Sequence, residues 1–238
     1  CLSKSNSHLN LDKVDYFKFD LKDGFPDINI KNETTLIHLA WDKVRETSSI
    51  SHINEQLYDQ KFFLKTAIDK GISKIIAIGS CYEYGKSYGP ISSKQQPTPD
   101  TPYGEAKYRL HNELISYKKN HDFDLIWARL FYLYGDHETN GSIISLFDKA
   151  IENNDDSFPL SYGEQILDYM HVENAAKKIV SLIDIKSGTY NICSGNPISI
   201  RRLIENRKAI KKSEIKLELG AFKYRENESM AFWGIPDI

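Results

Sequence analysis

The feature that most constrains this chain is an alternation of short β-branched runs with segments of helical periodicity through its first two-thirds. Tyr16-Phe17-Lys18-Phe19 reads as a strand, and Thr35-Leu36-Ile37-His38-Leu39-Ala40 as a buried one. Ile53, Leu57, Leu64 and Ile68 then recur at helical spacing, with Phe63 and Ala67 beside them and Gly71 as a stop. Lys74-Ile75-Ile76-Ala77-Ile78-Gly79 is the next strand. Pro102 opens a helix with Tyr103, Ala106, Leu110, Leu114 and Tyr117 at its apolar positions, and Leu125 to Phe131 is a further strand. Strands separated by helices pair in parallel through right-handed crossovers. The expected fold class is therefore α/β, a Rossmann-like parallel sheet.

After Tyr134-Gly135 the pattern changes. Gly141 to Asn153, Val172 to Ile183 and Ile198 to Ile210 read as helices, and Thr189-Tyr190-Asn191-Ile192 as a short strand. The expected organisation is a parallel-sheet domain over 1–135 and a smaller lid-like region over 136–238 that shares its core. There is no internal repeat or low-complexity tract.

Bulk properties remove several function classes. The formal net charge of −2 supplies no basic field for nucleic acid. No apolar run approaches the roughly 18 residues that span a bilayer, and the N-terminal stretch has no apolar core of a signal peptide. Cys1, Cys81 and Cys193 form no C-x-x-C pair and have no His at metal spacing, so neither a disulfide framework nor a metal site is expected. A reducing, cytoplasmic setting fits.

The chemistry centres on Tyr103-Gly104-Glu105-Ala106-Lys107. One helical turn separates the phenol from the ammonium, so both project from one face. A free phenol has a pKa near 10, and lowering it by about three units requires roughly 4 kcal/mol of phenolate stabilisation. A neighbouring ammonium supplies part of that. The motif alone also describes an ordinary helix-surface pair. Upstream, Gly79-Ser80-Cys81 ends a buried strand, and in open parallel sheets ligands bind just outside such strand ends. Ser80 could bond a substrate carbonyl oxygen while Tyr103 protonates it. Its alternative reading is a local turn or cap.

These segments together resemble the extended short-chain dehydrogenase/reductases of the NAD-dependent epimerase/dehydratase family. The resemblance runs from Phe19-Asp20-Leu21 through Leu36 to Ala40, Gly79 to Gly85, Pro102 to Lys107, Ala128 to Gly135, Gly163-Glu164-Gln165 and Asp168 to Val172, to Asn191 to Gly195. Cys81-Tyr82-Glu83-Tyr84-Gly85, Phe131 to Gly135 and Met230-Ala231-Phe232-Trp233-Gly234 are most similar to reductases of nucleotide-linked 4-keto-6-deoxy sugars.

The resemblance implies that 1–135 is a Rossmann-like dinucleotide-binding domain lacking its first strand-helix unit, that 136–238 is the substrate-binding region, and that single residues take the following roles. Tyr103 is the general acid, Lys107 holds the nicotinamide ribose and tunes Tyr103, and Ser80 orients the C4 carbonyl. Asp20 and Leu21 lie by the adenine, Leu39, Ala40 and Trp41 along the NAD or NADP cofactor, and Phe131 by its nicotinamide. Cys81, Tyr82 and Tyr132 border the sugar, with Cys81 read chiefly as a packing residue. Gln165 and Arg225 are candidates for the nucleotide end. A nucleotide sugar is the expected partner, and a homodimer is an assembly the family allows.

Departures sharpen the expectation. Family dehydratases carry an Asp-Glu pair where this chain has Cys81-Tyr82, which disfavours 4,6-dehydration. Many relatives place Arg where this chain has Leu167. No Gly-x-x-Gly-x-x-Gly run occurs, although the family starts with one in front of the helix that receives the pyrophosphate. Cys1-Leu2-Ser3-Lys4 resembles the tail of the second family strand, so the chain is expected to be a fragment or truncated form with weakened dinucleotide binding. Three functions follow: a 4-keto reductase, a 4-epimerase using the same residues, and a non-catalytic member that no longer binds dinucleotide.

Overall fold

The computed structural model of the protein describes residues 2–3, 13–31, 33–135, 141–224 and 229–238. Along the chain run β1 (Leu2–Ser3), β2 (Phe17–Lys18), β3 (Thr35–His38), α1 (Leu57–Asp69), β4 (Lys74–Ser80), β5 (Gly89–Ile91), α2 (Pro102–Lys118), β6 (Asp124–Leu130) and β7 (Tyr132–Tyr134). There follow α3 (Ile143–Glu152), β8 (Ser157–Pro159), β9 (Ile166–Leu167), β10 (Tyr169–His171), α4 (Val172–Ser181), β11 (Gly188–Ile192), β12 (Ile198–Ser199), α5 (Ile200–Lys211), β13 (Lys216–Glu218) and β14 (Ala231–Gly234). The contacts divide the chain into two units, Cys1–Glu83 with Pro99–Trp127 and Lys186–Gly188, and Tyr84–Thr98 with Ala128–Ile185 and Thr189–Ile238.

The first unit is built on a sheet of order β11–β6–β4–β3, into which β6 and β11 enter through residues 124–127 and 188. β3 and β4 are parallel, from Thr35 opposite Lys74 to His38 opposite Ala77. β1 pairs in parallel with β2, Leu2 opposite Phe17, consistent with the strand-like reading of the first residues. β4 is a continuous apolar run because a central parallel strand is covered on both faces. Ile75 and Ala77 pack with Phe63, Leu64, Ala67 and Ile68 of α1, Leu110 and Leu114 of α2, and Trp127. A π-helical turn, His52–Gln56, leads into α1, and Gly71 takes φ +98° just past the helix end, where a side chain would be strained.

In the second unit, α3 and α5 contribute Ile144, Phe147, Leu203 and Ile204 to a cluster with Phe158, Leu160 and Ile215. β14 lies in parallel between β5 and β9. Buried polar groups fix the loops. Arg129, 2% exposed, donates to Tyr84 Oη (3.0 Å), and Tyr84 Oη–H donates to Asn191 Oδ1 (2.7 Å). Asp168 accepts from Ser194 N (2.7 Å) and Gly195 N (2.9 Å). The helix expected from Ile198 begins instead at Ile200. Ile198 and Ser199 pair antiparallel with Leu167 and Ile166, and the Ser199 hydroxyl then caps Arg202 N at 3.1 Å. Among the described residues no helix is long and apolar enough to cross a membrane.

Candidate active site

β4 delivers Ser80 as its last residue, 6% exposed, and the chain turns at once into a 3-10 turn over Cys81–Tyr84. The Ser80 hydroxyl accepts from Tyr82 N at 3.3 Å. α2 starts where Pro102 needs no N–H partner and the Thr101 hydroxyl accepts from Gly104 N at 3.1 Å. Gly104 is required by proximity: a Cβ there would strike the Tyr82 carbonyl, lying 2.9 Å from its carbon. This close approach of turn and helix start brings Tyr103 to Ser80, whose hydroxyl hydrogen-bonds the phenol.

Tyr103 is 8% exposed and boxed by rings set edge to face. Trp41 lies at 6.0 Å and 80°, His52 at 5.1 Å and 60°, and Tyr82 at 5.8 Å and 72°. Its amide donates to Thr47 O at 3.1 Å. One turn on, Lys107 is 4% exposed, and its Nζ donates to Ile78 O at 2.7 Å and stands 4.0 Å above the Trp41 ring and 5.8 Å from the Tyr103 ring centre. Trp41 Nε1–H, which can only donate, bonds His52 Nδ1 at 3.0 Å. His52 therefore carries its proton on Nε2 and donates to Glu46 O at 3.1 Å. It is neutral, and burial holds its pKa down.

The electrostatics differ from the expectation. Burial drives the Tyr103 phenol well above its ordinary range. The Ser80 hydrogen bond opposes this, while nearby Cys81, Glu83 and Tyr82 add to it. Lys107, fully enclosed, is pulled down to about 7 by loss of water, with Glu83 opposing. Spacing alone suggested an ammonium lowering the phenol; burial raises it instead, and the group that opposes the rise is Ser80. Tyr103 is therefore a protonated acid across the neutral range.

The other expected residues are placed as follows. Leu39 and Ala40 are exposed, just beyond the C-terminal end of β3. Asp20 caps the turn at Leu21–Asp23, accepting from Lys22 N at 3.2 Å, and Leu21 packs on the core of the first unit. Cys81 is buried, 3% exposed. The remaining candidates belong to the second unit. Phe131 stacks on Phe232 at 5.3 Å, Tyr132 meets Tyr169 at 5.4 Å, and Gln165 is 3% exposed, its backbone carbonyl accepting from Ile200 N at 3.0 Å. Arg225 lies outside the described residues. The structure thus gathers Ser80, Cys81, Tyr82, Tyr103, Lys107 and Trp41. It adds His52 and Glu83, which sequence reasoning passed over.

The nicotinamide end of a dinucleotide fits these residues. An ammonium has three N–H donors and Ile78 takes one, which suits Lys107 to ribose hydroxyls. The exposed strand-end residues Leu39 and Ala40 offer an apolar edge. The pyrophosphate end finds no glycine turn within the 238 residues.

A model of the NAD dependent epimerase/dehydratase family matches residues 8–193. The dTDP-6-deoxy-L-talose 4-dehydrogenase (NAD(+)) of Aggregatibacter actinomycetemcomitans is 32% identical over 207 residues, 86% of this chain and 76% of that protein. The dTDP-4-dehydro-6-deoxyglucose reductase of Escherichia coli is 25% identical over 227 residues, 88% and 72% of the two chains. A solved UDP-glucose 4-epimerase superposes with a TM-score of 0.80 at 19% identity, covering 94% of this chain and 76% of its own. A parallel-sheet fold of this type is therefore shared with proteins of very different sequence.

Proposed function

Because the chain belongs to the NAD-dependent epimerase/dehydratase family, we propose that it is an oxidoreductase acting at C4 of a nucleotide-linked 6-deoxyhexose, reducing the 4-ketone to an alcohol. The observation that carries this reading is the set Ser80, Tyr103 and Lys107 in one unit, with Tyr103 held protonated against Ser80. A ketone reduction consumes a proton at the carbonyl oxygen, and a buried phenol beside a serine hydroxyl is suited to supply it. The likeness to a dTDP-sugar 4-dehydrogenase and a dTDP-4-dehydro-sugar reductase supports C4 as the reacting carbon.

In this reading Ser80 donates its hydroxyl hydrogen to the C4 carbonyl oxygen and Tyr103 delivers the proton. Lys107 binds the nicotinamide ribose and places positive charge behind the phenol as it ionises. NAD or NADP supplies the hydride when bound. Leu39, Ala40 and Trp41 flank it, Asp20 and Leu21 serve its adenine end, and Phe131 its nicotinamide. Tyr82 and Tyr132 border the sugar, and Gln165 the nucleotide.

A second reading, 4-epimerisation, is favoured by 24% identity to a UDP-glucose 4-epimerase of Caenorhabditis elegans over 218 residues. The test is turnover of a dTDP-4-keto-6-deoxyhexose with NADH and NADPH. The reductase consumes cofactor one for one with product. Cofactor retained through purification and not consumed supports the epimerase. No dinucleotide binding at millimolar concentration overturns both and leaves the non-catalytic reading.

A further inference from the structure

The turn after β4 carries an acid with no solvent contact. Glu83 is 0% exposed. Ser80 N–H donates to its Oε1 at 2.9 Å, and the Trp127 Nε1–H is shared between Oε1 (2.9 Å) and Oε2 (3.1 Å). The preceding Gly79 is confined by the same group, because a Cβ there would run into Trp127 Nε1 and Glu83 Oε1. A carboxylate is buried this way only where charge or hydrogen bonds repay its lost hydration. The cation at hand is Lys107, 4% exposed, whose Nζ is tied to Ile78 O immediately before Gly79.

We propose that Glu83 is a positioning residue of the Ser80–Tyr103–Lys107 set: its carboxylate clamps the Ser80 backbone to the Trp127 indole and is the counter-charge that keeps Lys107 an ammonium. This rests on reading those three residues as the reacting set. The clamp itself is a property of the folded chain.

The surroundings of Lys107 leave Glu83 this task. His38 on β3, bonded to Gln60 and stacked 5.3 Å from Phe63, is held near pKa 4 by burial. His52 from the π turn is neutral, and Tyr103 on the same helix stays protonated, with Cys81 and Tyr82 beyond it. His38, His52 and Tyr103 therefore offer no negative charge at neutral pH. Glu83 alone raises the Lys107 pKa against the desolvation that lowers it. Without that charge Lys107 would be an amine at working pH, unable to favour phenolate on Tyr103. The clamp also explains how a serine at a strand end keeps its place: its amide is fixed by a side chain anchored on the neighbouring strand.

The test follows Lys107 Cε and Nζ and the Glu83 carboxyl carbon by NMR in lysine- and glutamate-labelled chain, titrated from about pH 5 to about pH 10. Lys107 should titrate near 7. Glu83→Gln should lower that midpoint by about one unit or more, and Glu83→Asp, which keeps the charge, should stay within about half a unit. In the unsubstituted chain the Glu83 carboxyl resonance should move at the Lys107 midpoint. A Lys107 midpoint unmoved by Glu83→Gln, or a Glu83 resonance silent at that midpoint, overturns the proposal. The second readout decides the matter if Glu83→Gln does not fold. Neither readout needs cofactor or substrate, so a failure of the reductase reading is seen separately, as loss of turnover with the coupling intact.

Discussion

Replacing Lys107 by methionine should make the fold more stable at neutral and acid pH. The folded pKa is about 7, whereas the ordinary value is 10.5. At about 1.4 kcal/mol per pKa unit, the enclosed ammonium is disfavoured by roughly 4–5 kcal/mol. Methionine matches lysine as far as Cε, removes the charged Nζ, and loses the bond to Ile78 O, about 1 kcal/mol, and the contact over the Trp41 ring, about 1–2 kcal/mol. A net gain of roughly 1–3 kcal/mol remains, which for a chain of this size raises Tm by about 2–12 °C.

The sign depends on pH. Below about 7 both folded and unfolded Lys107 are protonated and the penalty is full. Between about 7 and 10.5 the unfolded chain holds a proton that the folded chain has released, so wild-type stability climbs with pH. Above 10.5 both are neutral and the penalty is gone. Thermal melts of both chains near pH 6 and near pH 10.5 should therefore show the Lys107→Met advantage at the lower pH only. A variant that melts below wild type at the lower pH, or a difference independent of pH, would refute the idea that the fold bears an unfavourable buried cation.

Gly104→Ala should lose about 1–3 kcal/mol in urea unfolding despite alanine's better helix propensity, because the obstacle is the Tyr82 backbone and cannot swing aside. Unchanged stability would mean the turn is not pressed on α2. His38, held near 4 against an ordinary 6.5, is a base with a depressed folded pKa. It makes the fold lose up to about 3 kcal/mol as pH drops from 6.5 to 4. His38→Leu should flatten that limb of the stability profile, and an identical acid limb would contradict it. Trp41→Phe removes the donor to His52 Nδ1 while keeping a ring over Lys107. Its expected signature is a raised His52 pKa by NMR with the Lys107 titration little changed.

Much of the first unit was legible because its elements carry unambiguous patterns. A central parallel strand is apolar on both faces, so 74–79 could be read as a strand, and Pro102 after Thr101 marks the start of α2. The strand at Leu2–Ser3 followed from the family likeness, whereas its pairing with Phe17–Lys18 is seen only in the structure. The short strands of the second unit, such as Ile198–Ser199 and Ser157–Pro159, were not readable. Two or three residues carry no periodicity, and their pairing is set by distant partners. In the candidate site, the nearness of Tyr103 to Lys107 was legible because one helical turn separates them, and the position of Ser80 because it ends an apolar strand. Glu83 and His52 were missed, since an acid in a turn and a histidine before a helix look like solvated residues until burial is known. Burial also reversed the expected direction for Tyr103: sequence proximity counts the nearby ammonium but not the water removed.

The central claim is that Tyr103 protonates the oxygen of a C4 ketone. The most direct measurement compares wild type and Tyr103→Phe in single turnover of a dTDP-4-keto-6-deoxyhexose with NADH or NADPH, alongside dinucleotide titration of each. The account predicts loss of turnover by a factor of about 10² or more with cofactor affinity nearly unchanged. A variant that retains most of the wild-type rate would contradict it.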